Sequence, residues 1–185
     1  MALFEFVMVL VSIIVGLGIA TLLTGVADIL RAGPAAKPYW VHSLVVVMVF
    51  LAHTQVWWES WDLNAAPQWS FGGLLMMLGA PICLFLISHL LFPETLTDVD
   101  LSEYYFRLAP RVWPLGAMTT LFGTFFRPVA FGSSIFDAGN LASVPAVLLC
   151  LILASTRNRR AHTVLVPAFL LLILLDTILI TGVQG

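Results

Sequence analysis

The chain has 185 residues, of which 61% are hydrophobic and 10% charged, and its mean hydropathy is +1.03. Soluble domains carry roughly 25% charged residues, so this composition excludes a water-soluble globular protein and predicts an all-α bundle embedded in a lipid bilayer. The net charge of −2 leaves no basic stripe for nucleic acid, which is excluded as a partner.

Six apolar stretches predict a single domain over residues 1–185 that is built from six transmembrane helices. A helix of about 20 residues crosses roughly 30 Å of hydrocarbon at 1.5 Å per residue. The spans are expected at about 4–30, 39–60, 69–92, 111–128, 136–156 and 161–182. The fourth is the shortest, because Arg111 and Arg127 bound its uncharged core, and it requires arginine side chains that extend to the two interfaces.

A polar segment separates the third and fourth spans, and it predicts an additional helix at about 98–109. Leu101, Tyr104, Tyr105 and Leu108 recur there at helical spacing, with acids before them and arginines after them. An amphipathic helix of this kind is typical of segments that lie on the membrane surface. We therefore expect an interfacial helix between spans three and four.

Basic residues alternate between the predicted links. Seven of the eight Lys and Arg residues fall in the first, third and fifth links: Arg31, Lys37, Arg107, Arg111, Arg157, Arg159 and Arg160. Because short loops rich in Lys and Arg stay in the cytoplasm, this bias predicts that both termini lie on the non-cytoplasmic side. We expect an integral protein of a bacterial inner membrane.

Small residues repeat every four positions in two of the spans. They are Ser12, Gly16, Ala20 and Thr24 in the first span, and Ala138, Ala142, Ala146, Cys150 and Ala154 in the fifth. Such spacing lets helix backbones approach closely in lipid, so both faces are predicted to form helix contacts. The same faces are suited to a homo-oligomer or to a partner in a larger membrane complex.

Acidic residues gather on the predicted outer side, where Arg127 is the only base. The acids are Glu5, Glu59, Asp62, Asp137 and Asp176. Polar groups inside a membrane are costly and therefore mark candidate sites, and Asp176 is the only acid well inside a span. We expect it either to pair with Arg127 or to carry a proton. His53, in the outer half of the second span, is expected to join Asp176 or Glu5 in a polar cluster.

Two histidines allow a different interpretation. His42 and His89 map to the same end of the antiparallel spans two and three, an arrangement that a bis-histidine haem b requires. Histidines at an interface are also commonly just hydrated, and no cofactor is predicted outright. The chain contains no HExxH, CxxC or phosphate-binding glycine loop, so no catalytic residues are assigned and an enzyme is not favoured.

The sequence leaves three functions open. The first is a transporter or channel-like protein for protons, cations or a small solute, indicated by Asp176 and the acidic outer side. The second is a non-catalytic subunit or packing module of a larger membrane complex, indicated by the small-residue faces. The third is a haem- or quinone-linked membrane redox protein that uses the histidines.

Overall fold

A computed structural model describes residues 3–61, 70–132, 134, 140 and 142–183 of the chain. This part is almost entirely helical, with six α-helices and two strands of two residues each. In chain order the elements are α1 (Leu3–Ala32), β1 (Ala36–Lys37), α2 (Trp40–Glu59), α3 (Phe71–Leu90), β2 (Val99–Asp100), α4 (Leu101–Phe131), α5 (Ser143–Ser155) and α6 (Arg159–Val183). A 3-10 turn, Gly33–Ala35, joins α1 to β1.

Four of the six predicted spans are confirmed as helices that are long and apolar enough to cross a membrane. They cover Phe4–Ala35, Trp40–Glu59, Phe71–Leu90 and Arg159–Ile178. The chain is therefore a helical protein suited to a lipid bilayer. The fourth and fifth predicted spans differ from expectation, each for a separate reason.

The structure places one continuous helix, α4, where we predicted an interfacial helix at 98–109 and a separate span at 111–128. The Asp100 side chain accepts hydrogen bonds from the backbone N–H groups of Ser102 and Glu103, and this N-cap starts the helix. The helix then continues through Pro110 and ends at Gly132, whose φ of 67° provides a left-handed C-terminal cap. The predicted separation at 109–111 is therefore corrected.

The apolar face of the predicted interfacial segment is buried by protein. Leu101, Tyr105 and Leu108 are each at most 5% exposed, Tyr104 is half-buried, and the buried face continues through Val112. The helical spacing in the sequence was correct. Protein covers this face, and Tyr105 contacts His162 at the start of α6, so the location of the segment at a membrane surface stays a prediction.

The helix in the place of the fifth span is shorter than predicted. We expected residues 136–156, whereas α5 covers Ser143–Ser155, and residues 135–139 and 141 lie outside the described part of the chain. Pro145 falls in the first turn of α5, where a missing N–H group costs no intrahelical hydrogen bond.

The first, third and fifth links meet at one end of the bundle. Strand β1 pairs in parallel with β2, with Ala36 opposite Val99, and this pairing joins the first link to the third. The start of α6 joins them, because its His162 contacts Tyr105 in the first turns of α4. We call this the basic end, since it carries seven of the eight Lys and Arg residues.

The two small-residue faces have different environments. On α5, Ala146 and Cys150 are buried, and a Cβ added at Gly116 of α4 would lie 3.3 Å from the Cys150 sulfur. This contact confirms the predicted face at Ala146 and Cys150, whereas Ala138 lies outside the described residues. On α1 the corresponding face is exposed, although its Ser12 hydroxyl accepts a hydrogen bond from the Trp57 indole N–H at 3.2 Å. The buried residues of α1 lie on other faces, and among them Val7, Val11 and Val15 pack with Met77 of α3.

Candidate functional site

A cluster of three polar side chains joins α2 to α6. The Gln55 Nε2 atom donates to the Glu59 Oε1 atom at 3.0 Å and to the Asp176 Oδ2 atom at 3.5 Å. All three side chains are half-buried. One neutral amide thus connects two carboxyl groups that belong to different apolar helices, and we call this group the α2–α6 cluster.

Helix geometry accounts for the position of the cluster. Gln55 and Glu59 are four residues apart, so they lie on the same face of α2. Asp176 follows the start of α6 by 17 residues, which corresponds to about 26 Å at 1.5 Å per residue. The cluster therefore lies at the end of the bundle opposite the basic end.

The other predicted members of the acidic side do not all fall within the described structure. Glu5 is exposed in the first turn of α1. Asp137 lies outside the described residues, and so does the side chain of Arg127, although its backbone belongs to α4. The predicted Asp176–Arg127 pair therefore stays a prediction.

His53 points away from the α2–α6 cluster and packs against α1. Its ring is completely buried, and the Nδ1 atom donates to the Val49 carbonyl oxygen at 2.8 Å. Because Nδ1 carries the proton in this bond, Nε2 is an acceptor, and it is buried with no hydrogen-bond partner in the described part of the chain. Nε2 faces Gly18, where an added Cβ would overlap the ring. His53 thus forms a helix contact separate from the acids.

The two histidines considered for haem have different environments. His42 is 1% exposed, and its Nε2 donates to the Leu91 carbonyl oxygen at 2.8 Å. His89 is exposed, with its ring 5.9 Å from that of Phe85. Since the Nε2 atom of His42 already donates this hydrogen bond, Nδ1 is the ring nitrogen that would have to bind a haem iron.

A third buried histidine lies at the basic end. The His162 Nε2 atom is 3.0 Å from the Thr156 carbonyl oxygen, and its Nδ1 atom is 2.7 Å from the Tyr105 hydroxyl oxygen. A carbonyl only accepts, so Nε2–H donates to Thr156 and the Tyr105 hydroxyl donates to Nδ1. This chain of hydrogen bonds fixes the ring and connects α4, α6 and the link before α6.

Two of these features were not predicted from the sequence. Gln55 was not among the predicted site residues, although its four-residue spacing from Glu59 is a signal that identifies a shared helix face. The Tyr105–His162 bond joins residues 57 positions apart, and neither local spacing nor composition indicates such a contact.

Neither a metal site nor a similarity to known proteins distinguishes among the three candidate functions. Within the described ranges, no group of three or more His, Cys, Asp or Glu side chains is arranged to hold a metal ion. Comparison of the chain with protein-family models, with curated proteins and with solved structures finds no match.

Proposed function

We propose that the protein binds protons or small monovalent cations at the α2–α6 cluster and moves them across a membrane. The observation that carries this proposal is the single Gln55 amide that contacts both Glu59 and Asp176 between two apolar helices. Ionisable groups inside membrane segments are costly, and they commonly mark ion or proton pathways.

Electrostatics supports a positively charged ligand. Because the two carboxyl oxygens lie 3.0 and 3.5 Å from one nitrogen, they are at most 6.5 Å apart (3.0 + 3.5). Two unit charges at roughly 6 Å repel by about 3 kcal/mol at an effective dielectric constant of 20. A proton on one carboxyl group, or a cation held between the two, removes this repulsion.

Flux measurements on the reconstituted full chain test the proposal. We expect proteoliposomes with an imposed cation or proton gradient to show flux above that of empty liposomes, read with a trapped pH dye and ion-selective electrodes. Asp176→Asn keeps the size and hydrogen-bonding capacity of the side chain but removes its charge, so it is expected to lower the flux at least tenfold. Far-UV circular dichroism checks that the variant stays helical.

The matched control is Glu94→Gln, which removes one acid from an exposed position at the basic end. This variant is expected to retain the native flux. Absence of proton, Na⁺ and K⁺ flux in the native chain, or equal flux in the native chain and Asp176→Asn, would contradict the proposal.

A second candidate function, a packing subunit of a larger membrane complex, is supported by the exposed face of α1. Ser12, Gly16, Ala20 and Thr24 are all exposed there, and a Cβ at Gly16 would meet no atom within 4 Å. Small residues at this spacing are typical of helix contacts in lipid. Purification from native membranes in mild detergent separates the candidates, since a subunit is expected to retain stoichiometric partner chains.

A further inference from the structure

Five arginine side chains form an exposed surface at the basic end, which we call the arginine surface. Its members are Arg107 and Arg111 on α4, Arg157 in the link before α6, and Arg159 and Arg160 in the first turn of α6. The Arg159 guanidinium lies 5.8 Å from the Phe106 ring centroid, and this contact places the start of α6 beside α4.

The arginine surface differs from the other bases at this end in its lack of acidic partners. Arg31 pairs with Asp28 at 2.7 Å, and Lys37 pairs with Asp98 at 3.5 Å. In the part of the chain that the structure describes, no carboxyl oxygen lies within 4.0 Å of a guanidinium nitrogen of the five surface arginines. Their charge is therefore available to an external anion.

The position of these arginines adds to the positive potential. Asn158 caps α6, because its side-chain oxygen accepts from the Arg160 backbone N–H at 2.9 Å. Helix N-termini carry a partial positive charge, so cations placed there add to the positive potential of the helix end.

Aromatic rings border the same region, with the Arg107 guanidinium lying 5.2 Å from the Tyr104 ring centroid. Aromatic and basic side chains together are typical of the lipid headgroup level.

We propose that the arginine surface binds the phosphodiester headgroups of anionic lipids. Arg159 and Arg160 lie at the start of α6, which is one of the four helices suited to crossing a bilayer, and headgroup phosphates are found at the ends of such helices. A guanidinium group matches two phosphate oxygens with two parallel N–H donors, and several arginines together favour an anionic headgroup over a zwitterionic one. This inference does not depend on the α2–α6 cluster.

Lipid selectivity of the full chain provides the test. The protein is reconstituted in equimolar phosphatidylglycerol and phosphatidylcholine with identical acyl chains, and relative association constants are measured by electron paramagnetic resonance of spin-labelled lipids. We expect the native chain to prefer phosphatidylglycerol by roughly fivefold, as the net gain of one basic contact provides. The double variant Arg157→Gln, Arg160→Gln is expected to reduce this preference to less than twofold, while leaving the Arg159–Phe106 contact in place.

The matched control removes the same number of charges from the same end. Arg31→Gln combined with Lys37→Gln removes two cations that already have acidic partners, so it is expected to retain the native preference. If the first double variant fails to fold, Arg107→Gln with Arg111→Gln tests the α4 part of the surface with the same expected loss.

Three results would overturn the proposal. The first is a native chain with no preference for phosphatidylglycerol, and the second is an equal loss of preference in the variant and control pairs. The third is displacement of spin-labelled phosphatidylglycerol by inorganic phosphate beyond that caused by chloride at matched ionic strength, since this would indicate a site for a soluble anion instead.

Discussion

At the scale of single residues, the contact between His53 and Gly18 explains why the polar residues of α2 have separate roles. The imidazole ring is completely buried at the α1–α2 contact, whereas Gln55 contacts Asp176 of α6 and holds Glu59 beside it on α2. The ring fits because Gly18 has no Cβ. His53 therefore positions α1, and the acids are left to the opposite face of α2.

Replacing Gly18 with alanine is expected to destabilise the protein by about 1–3 kcal/mol, because the new methyl group overlaps the His53 ring in a packed contact. Gly16→Ala is the matched control, since open space surrounds that position, and its effect is expected to stay within about 1 kcal/mol. Thermal unfolding in detergent measures both variants. Equal stability of the two variants would show that the histidine does not fill this space.

These two glycines also show the limit of prediction from spacing. Gly16 belongs to the four-residue repeat that predicted a helix contact, yet its surroundings are open, whereas Gly18 lies outside the repeat and forms the contact. The repeat identifies a face that is able to pack closely. Which neighbouring helix uses that face depends on tertiary arrangement, and the spacing of one helix carries no information about it.

At the scale of secondary-structure elements, α4 combines features that suggested two separate helices. Its first turns carry charges and its later part is apolar, so the composition predicted two helices. Pro110 falls between the two parts. The N-cap at Asp100 and the packing of Tyr105 and Leu108 hold the first turns in line with the rest. The buried positions were predictable from the 3.6-residue period, but the protein cover over them was not.

Loss of the Asp100 cap is expected to destabilise the protein. Asp100→Ala leaves the N–H groups of Ser102 and Glu103 without their side-chain acceptor, at a cost of about 0.5–2 kcal/mol. Asp98→Asn is the control, because it removes only an exposed ion pair with Lys37 and keeps a residue type that tolerates the φ of 50°. Unfolding followed by circular dichroism is expected to rank Asp100→Ala below Asp98→Asn, and the reverse order would contradict the capping role.

At the scale of the whole molecule, the uneven distribution of bases corresponds to a single end of the bundle. The sequence predicted that the first, third and fifth links share a side, and the β1–β2 pairing and the Tyr105–His162 bond bring those links together. The charge bias predicted this grouping of links because it depends only on the order of basic links and apolar stretches along the chain. The number of membrane crossings stays a prediction, since α4 and α5 fall outside the four helices that are both long and apolar enough.

Reporter fusions test the orientation that the charge bias predicts. Alkaline phosphatase fused after Gly185 is expected to be active, because the C-terminus is predicted to lie outside the cytoplasm, whereas the same enzyme fused after Asn158 is expected to be inactive. Green fluorescent protein at the same two positions is expected to give the opposite pattern. Phosphatase activity only after Asn158 would reverse the orientation.

Infrared difference spectroscopy of the reconstituted chain tests ion binding between α2 and α6 most directly. The spectra are recorded as the buffer is alternated between an acidic one without Na⁺ and one that contains Na⁺. We predict a reversible loss of a protonated carboxyl band in the native chain and in Glu94→Gln, and its absence in Asp176→Asn. The same difference spectrum in the native chain and in Asp176→Asn would contradict the assignment of the site.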